Sequence, residues 1–317
     1  MRRKQKIDSY KKIKWADKNY NFFGDYLREK YGHTVLKLPV NADLNCPNRD
    51  GKISTKGCIF CSEDGSASPS AAPSLSITDQ MSTAKNSFSR INSEMKFIAY
   101  FQAFTNTYGP PEKLKILYDE AVSFPDVIGL MIGTRPDCID ENIVSLISNY
   151  NLPETWIELG MQSSHDASLN FLNRGHSFSD VCDSVKLIQK HGIKICLHVI
   201  LGIPGETRED MISTAEKINE LKVDGVKIHH LHVIKNTELE KIFNKNKFTL
   251  PDMTEYISIL TDFIEHLDGT IIIHRISGDR EETSLIAPLW GAHKGTIQKA
   301  LDDEFIKRGT WQGFFCS

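Results

Sequence analysis

Three cysteines in one short stretch are the residues of this sequence best equipped for chemistry. They fall in Asn45-Cys46-Pro47 and Gly57-Cys58-Ile59-Phe60-Cys61, a C-x11-C-x2-C spacing. Thiolates are soft ligands and suit zinc or iron–sulfur clusters. A closed structural zinc site takes four ligands. The nearest candidates for a fourth, His33 and Cys138, stand at no plausible spacing. Three thiolates on a four-iron, four-sulfur cubane leave one iron open, and catalysis needs an open metal position. Phe60, just before the last cysteine, is compatible with shielding a cluster from water. Taken alone, the spacing admits both an iron–sulfur site and a zinc knuckle. The remaining cysteines, Cys138, Cys182, Cys196 and Cys316, are scattered and read as small packing residues. Seven cysteines, an odd number, argue against a disulfide framework.

The chain has 317 residues, 40% apolar and 25% charged, as in an ordinary soluble globular protein. No run of about 18 apolar residues occurs, and the basic stretch Met1 to Lys6 has no apolar segment after it. The expectation is a cytoplasmic protein with no membrane partner. The net charge of −3 gives no global pull toward nucleic acid. Before Val35, however, basic residues (Arg2, Arg3, Lys4, Lys6, Lys11, Lys12, Lys14, Lys18, Arg28, Lys30) alternate with Tyr10, Trp15, Tyr20, Phe22 and Phe23. Such a segment can neutralise phosphates and stack on bases, or it is a solvated terminus.

The elements that must position the cysteines follow a regular rhythm. Apolar runs at Phe97–Phe104, Val127–Ile132, Trp156–Leu159, Ile195–Leu201 and Val226–Ile234 read as strands. Helical patterns fall at Glu112–Val122, Asp140–Tyr150, Phe178–His191, Arg208–Leu221 and Glu238–Asn244. Strands alternating with helices mean βα units and a parallel sheet. Each run ends in polar residues or glycines, where a β/α barrel carries its active site. After Thr249 a helix at Met253–His266, an apolar run at Thr270–Ile276 and a helix at Thr296–Lys307 read as an extension that closes the barrel. The expected layout is a basic aromatic segment at 1–33, a barrel at 34–248 and the extension at 249–317.

With this context the sequence resembles the radical S-adenosylmethionine (SAM) superfamily, in its Elp3-like branch and the YhcC/YtqA group. The resemblance is carried by the three cysteines and by Tyr100-Phe101-Gln102-Ala103-Phe104, Gly133-Thr134-Arg135-Pro136-Asp137 and Glu158-Leu159-Gly160-Met161-Gln162-Ser163. Further segments are Asn173-Arg174-Gly175-His176, Leu201-Gly202-Ile203-Pro204-Gly205-Glu206-Thr207, His274-Arg275-Ile276-Ser277-Gly278-Asp279 and Ile286-Ala287-Pro288-Leu289-Trp290. It implies an α/β fold, a partial (β/α)6 TIM-type barrel with the cysteine loop after the first strand and a short C-terminal α/β extension. It also implies a 4Fe-4S cluster on Cys46, Cys58 and Cys61, and SAM on the open iron. An electron then cleaves SAM to methionine and a 5′-deoxyadenosyl radical, which takes a hydrogen from the substrate.

Other positions gain expected roles in cofactor binding. Gln102, with Thr105, is placed near the methionyl end of SAM, although the common Gly-Gly-Glu pattern is absent. Arg174 or Arg135 could grip the SAM carboxylate in a bidentate way; Arg174 is favoured, and Arg135 takes an unspecified place in the cavity. Ion pairs to Asp137 or Glu158 are the structural alternative. Gln162 could bond the ribose, with Glu158 on the same face. Gly202 and Gly205 would let backbone approach the adenine, or form a simple turn. Of His229, His230 and His232, alternation lets at most His230 and His232 share a face, and His230 is expected in the cavity. His198, His274 and Arg275 are further candidates for its lining.

The function expected is radical modification of the tRNA wobble uridine at its C5 side chain, with tRNA and an external electron donor as partners. Elp3-like enzymes act at that uridine. The chain leaves no room for their acetyltransferase domain, so remodelling an existing side chain is the more natural reading. The alternatives are a radical SAM enzyme acting on a small metabolite and a noncatalytic zinc-containing RNA-binding protein.

Overall fold

The computed structural model describes residues 15, 18–63, 65, 71–88, 95–278, 283–292 and 294–316. Most of the basic N-terminal stretch, and Asp279, lie outside the described residues.

The strands are β1 (Val35–Val40), β2 (Lys96–Phe101), β3 (Val127–Thr134), β4 (Glu154–Gln162), β5 (Lys194–Leu201), β6 (Gly225–His230), β7 (Val233–Ile234), β8 (Ile272–Arg275) and β9 (Leu285–Ala287). One sheet runs β1-β2-β3-β4-β5-β6-β8, and every neighbouring pair is parallel. The helices between them include α1 (Phe23–Tyr31), α2 (Ile77–Asn86), α3 (Pro111–Val122), α4 (Glu141–Ser148), α5 (Asp166–Phe171), α6 (Phe178–Lys190), α7 (Arg208–Leu221), α8 (Glu238–Asn244), α9 (Met253–Glu265) and α10 (Lys294–Arg308). The sheet curls into a partial TIM-type barrel. Its outward side chains, among them Leu130, Ile132, Ile157, Leu197 and Val226, form one core with apolar faces of the helices.

Local chemistry sets the helix starts. Ser177 with Asp180, and Thr207 with Asp210, form reciprocal capping boxes that open α6 and α7, satisfying N–H groups a helix start leaves orphaned. Asp140 accepts from the Ile143 N–H at the head of α4.

Two details differ from the sequence pattern. The run Val226–Ile234 is not one strand: β6 ends at His230, and Val233–Ile234 pairs antiparallel with β9. Apolar continuity cannot reveal such a change of partner. The Thr270–Ile276 run gives β8, which extends the parallel sheet beside β6. The extension therefore adds a seventh strand to the barrel wall.

Helix α1 sits beneath the barrel. Phe23 stacks on His274 with ring centroids 4.0 Å apart and meets Trp156 edge-on at 5.7 Å. Trp15, Tyr20 and Phe23 are buried, so these aromatics are core, not a stacking surface for bases. At the start of β4, Glu154 is fully buried. It accepts from Tyr26, Lys30 and Tyr31 on one oxygen and from Trp156 and Lys194 on the other, at 2.6–3.1 Å. Burial would raise its pKa, but hydrogen bonds from Lys30, Lys194 and Trp156 outweigh it and hold it at about 2 against an ordinary 4.5.

A depressed folded-state pKa stabilises above the unfolded value and is lost as pH falls through the folded one. Glu154→Gln is expected to cost about 3 kcal/mol at pH 7. The gap from wild type should stay constant above pH 4.5 and close as pH falls toward 2. Urea unfolding of both proteins across that range checks it, and a gap independent of pH contradicts the assignment.

Candidate active site at the mouth of the barrel

The loop from β1 to α2 carries the cysteines over the C-terminal ends of the strands. Cys46, Cys58 and Cys61 line one cavity of roughly 700 Å³ with Gln102, Thr105, Gly133, Arg135, Gly160 and Gln162. The loop is pinned by the segment between α5 and α6. Asn173 Nδ2 donates to the Gly57 carbonyl at 2.6 Å, Asn48 Nδ2 to the Asn173 carbonyl at 2.6 Å, and the Ile59 N–H to the Leu172 carbonyl at 3.1 Å.

Donors converge on the sulfurs. Arg174 Nη1 reaches Cys58 Sγ at 3.1 Å, Asn48 Nδ2 the same sulfur at 3.5 Å, and Arg49 Nη1 Cys61 Sγ at 3.8 Å. Burial and then the neighbouring Cys58 push the Cys61 thiol up to about 12, with Arg49 opposing. Crowded thiols that repel as thiolates are what a bound cation would relieve.

The donor set also tests which metal centre fits. Three thiols share one cavity wall, and Arg174, Asn48 and Arg49 direct N–H groups at two of their sulfurs. Ligand sulfurs that accept such hydrogen bonds suit an iron–sulfur cluster.

The cofactor-binding candidates do not share one place. Gln102, Thr105, Gln162 and Arg174 line the same cavity as the cysteines. Arg174 Nη2 also donates to the Gly160 carbonyl at 2.7 Å, and a Cβ on Gly160 would meet that guanidinium at 2.9 Å; glycine makes the room. Arg135 is in the wall but forms a bidentate ion pair with Asp137, both bonds 2.9 Å. Its Nη1 is buried without a partner. His230 lines the other side, where its Nε2 lies 2.6 Å from His232 Nε2 and its ring 4.7 Å from Trp290. Burial, then His232, lowers its pKa to about 2.

Glu158 sits deeper, in a buried polar network. It takes Tyr100 OH at 2.7 Å, His198 Nε2 at 2.7 Å, Lys227 Nζ at 3.0 Å and Lys37 Nζ at 3.5 Å, with His274 Nδ1 at 3.7 Å. Burial would raise its pKa, but Lys227 and Lys37 outweigh it and keep it well below the carboxylate range. An ionised Glu158 accepts only, which fixes the Nε2–H tautomer of His198. Glu158, Cys196 and His198 cluster tightly enough to suggest a cation site, but two lysines on the same carboxylate oppose one. Gly202 and Gly205 are not brought to the cavity. Both adopt positive φ, at 84° and 95°, and a Cβ on Gly202 would meet the Pro251 ring at 3.3 Å.

Lys37, Tyr100 and Lys227 were not singled out by the sequence as cavity residues. Their signal was a lysine inside an apolar strand run, as in Leu36-Lys37-Leu38 and Val226-Lys227-Ile228, which marks a polar interior.

A parallel half-barrel with three cysteines over its C-terminal mouth has the layout of a β/α enzyme whose active site lies at the strand ends. The chain belongs to the radical SAM superfamily, whose sequence profile matches residues 51–218, with the Radical_SAM C-terminal domain at residues 223–307. It is 36% identical over 301 residues to the protein YtqA of Bacillus subtilis, covering 95% of this chain and 94% of that one. It is 22% identical over 282 residues to a tRNA uridine(34) acetyltransferase of Dehalococcoides mccartyi, covering 88% of this chain and 55% of that protein. The fold matches the archaeal Elp3 of Methanocaldococcus infernus with a TM-score of 0.65 at 19% identity, over 88% of this chain and 64% of that one. No helix among the described residues is long and apolar enough to cross a membrane.

Removing a thiolate should remove the metal centre. After anaerobic reconstitution with iron and sulfide, Cys46→Ala, Cys58→Ala and Cys61→Ala are expected to lose the iron and the visible absorbance of the wild type. Stoichiometric zinc in place of iron in the wild-type protein would overturn the iron–sulfur reading.

Proposed function

We propose that this chain is a radical SAM enzyme that remodels the C5 side chain of the wobble uridine in tRNA. The observation that carries the enzyme class is the cysteine triad on a cavity at the strand ends, with Arg174, Asn48 and Arg49 donating toward its sulfurs. A 4Fe-4S cluster on Cys46, Cys58 and Cys61, with SAM on its open iron, supplies a 5′-deoxyadenosyl radical when both are bound.

The chain's own residues take the remaining tasks. Arg174, with Gln102 and Thr105 nearby, holds the methionyl end of SAM. Gln162 faces the ribose. Arg174 and Asn48 also donate toward Cys58, and hydrogen bonds to ligand sulfurs make a cluster easier to reduce. Phe60 and Phe104 in the cavity wall help exclude water, which protects a radical from side reactions.

The tRNA substrate is supported by the relative that acts at uridine(34) and by the likeness to Elp3. What is carried over is the position on tRNA, not the acetyl transfer. A base must leave its stack to enter a cavity of this kind, and a loop nucleotide does so at the lowest cost. An external electron donor is the further partner.

Reduced wild-type enzyme should form 5′-deoxyadenosine from SAM, and the three cysteine variants should not. Arg174→Met is expected to bring the cluster's midpoint potential down, read by an EPR-monitored redox titration. Nucleosides from tRNA of a deletion strain should show an altered wobble uridine. An unchanged profile would remove the tRNA substrate and leave the enzyme class standing.

A further inference from the structure

Lys227 is an amine in the middle of an apolar strand, and it lines the cavity with its side chain 7% exposed. Its ammonium has three N–H groups. Two are taken, one by the Tyr100 hydroxyl and one by Glu158 Oε2 at 3.0 Å. The third has no hydrogen-bond partner among the described residues. Tyr100 in turn donates to the same Glu158 oxygen at 2.7 Å. Amine, phenol and carboxylate therefore close a triangle, and a proton can pass between any two of them.

The surroundings favour the free amine. Glu158 serves two lysines, since Lys37 Nζ stands 3.5 Å from its other oxygen. Burial, with Glu158 opposing and Lys37 assisting, brings Lys227 down to about 8 from an ordinary 10.5. At pH 7 roughly one Lys227 in ten is then neutral, against fewer than about one in a thousand for an ordinary lysine. Desolvation and a neighbouring cation are what make a lysine nucleophilic at neutral pH. Addition of an amine to a carbonyl also needs an acid for the oxygen, and the Tyr100 hydroxyl is bonded to the amine itself.

We propose that Lys227 is an imine-forming nucleophile for an aldehyde or ketone that enters the cavity, with Tyr100 as the acid for the departing oxygen and Glu158 as the proton store. Lys227 first passes a proton to Glu158. The freed lone pair forms the C–N bond while the carbonyl π pair moves to oxygen and takes the Tyr100 proton, which Glu158 replaces. A second nitrogen proton travels the same way, the C–O bond breaks, and water leaves. One carbonyl and one ammonium give one iminium and one water, with no oxidant or reductant. The positive charge stays on Nζ, so its pairing with Glu158 survives the reaction. The step goes beyond the radical reading, because it uses neither SAM nor the cluster.

The test is reductive trapping on the reconstituted protein without SAM. Acetaldehyde, or acetone in a parallel series, is added with sodium cyanoborohydride, and alkylated lysines are located by peptide mass spectrometry. Lys227 should be labelled at least about tenfold faster than the exposed Lys113 and Lys190, as its larger share of free amine requires. Lys37 lines the same cavity with no hydroxyl bonded to its amine, and it should lag with the surface lysines. The faster probe assigns an aldehyde or a ketone. Tyr100→Phe should slow labelling of Lys227 about a hundredfold and leave Lys113 unchanged, which a loosened fold would not do. Lys227→Arg keeps a cation beside Glu158 and should lose the label at that position while retaining wild-type iron. Should either variant fail to fold, the wild-type ratio of Lys227 to Lys113 decides alone. Labelling of Lys227 no faster than the surface lysines, labelling of Lys37 in its place, or an unchanged rate in folded Tyr100→Phe would each overturn the proposal. Deoxyadenosine formation is read separately, so failure here is distinguishable from failure of the enzyme reading.

Discussion

A carboxylate closed off from water must find a donor for each of its lone pairs, and Glu158 meets that demand from four other strands. Tyr100 comes from β2, Lys37 from β1, His198 from β5 and Lys227 from β6. A parallel half-barrel has an inner face that nothing else in the sheet covers. Here that face is filled by charge below the cavity and by Phe23, Trp156, Ile98 and Met131 lower still. The polar layer fixes how far the strands curl, because its bonds hold only at one separation. Breaking such a network leaves buried charge unpaired, which costs more than the bonds themselves contribute.

The cysteine loop depends on the same wall from above. Asn173 and Arg174 follow α5, which follows β4, the strand that carries Glu158 and Gly160. One turn of chain therefore holds the loop backbone through Asn173 and a ligand sulfur through Arg174. The cysteine end and the Glu158 network are coupled through β4, so the three thiols and the cavity are built from one rigid piece. Sites supported by strands keep their geometry better than sites on free loops.

Much of this was legible in the residues. The βα rhythm gave the sheet and its direction, and the three cysteines pointed to the cavity that they line. Alternation correctly allowed His230 and His232 to meet, although His232 lies past the strand. The rest was not legible for physical reasons. Arg135 and Arg174 are the same residue type beside similar neighbours, and only packing decides that one meets Asp137 and the other a sulfur. Gly202 and Gly205 look like an adenine approach, yet a positive φ in a tight turn needs glycine for itself. Glu158 was placed with Gln162 by parity, but parity fixes a face and not a depth.

The underside of the barrel joins the two ends of the described chain. Gln312 is fully buried and receives the Asn21 N–H at 2.8 Å, while its Nε2 donates to the Asp268 and Ile271 carbonyls. Asn21 in turn offers its carbonyl to the Ile273 N–H. During synthesis residue 21 emerges long before residue 312, so this seam stays open until residue 312 has left the ribosome. The strands can pair in order as they appear, but the base on which they rest is sealed last.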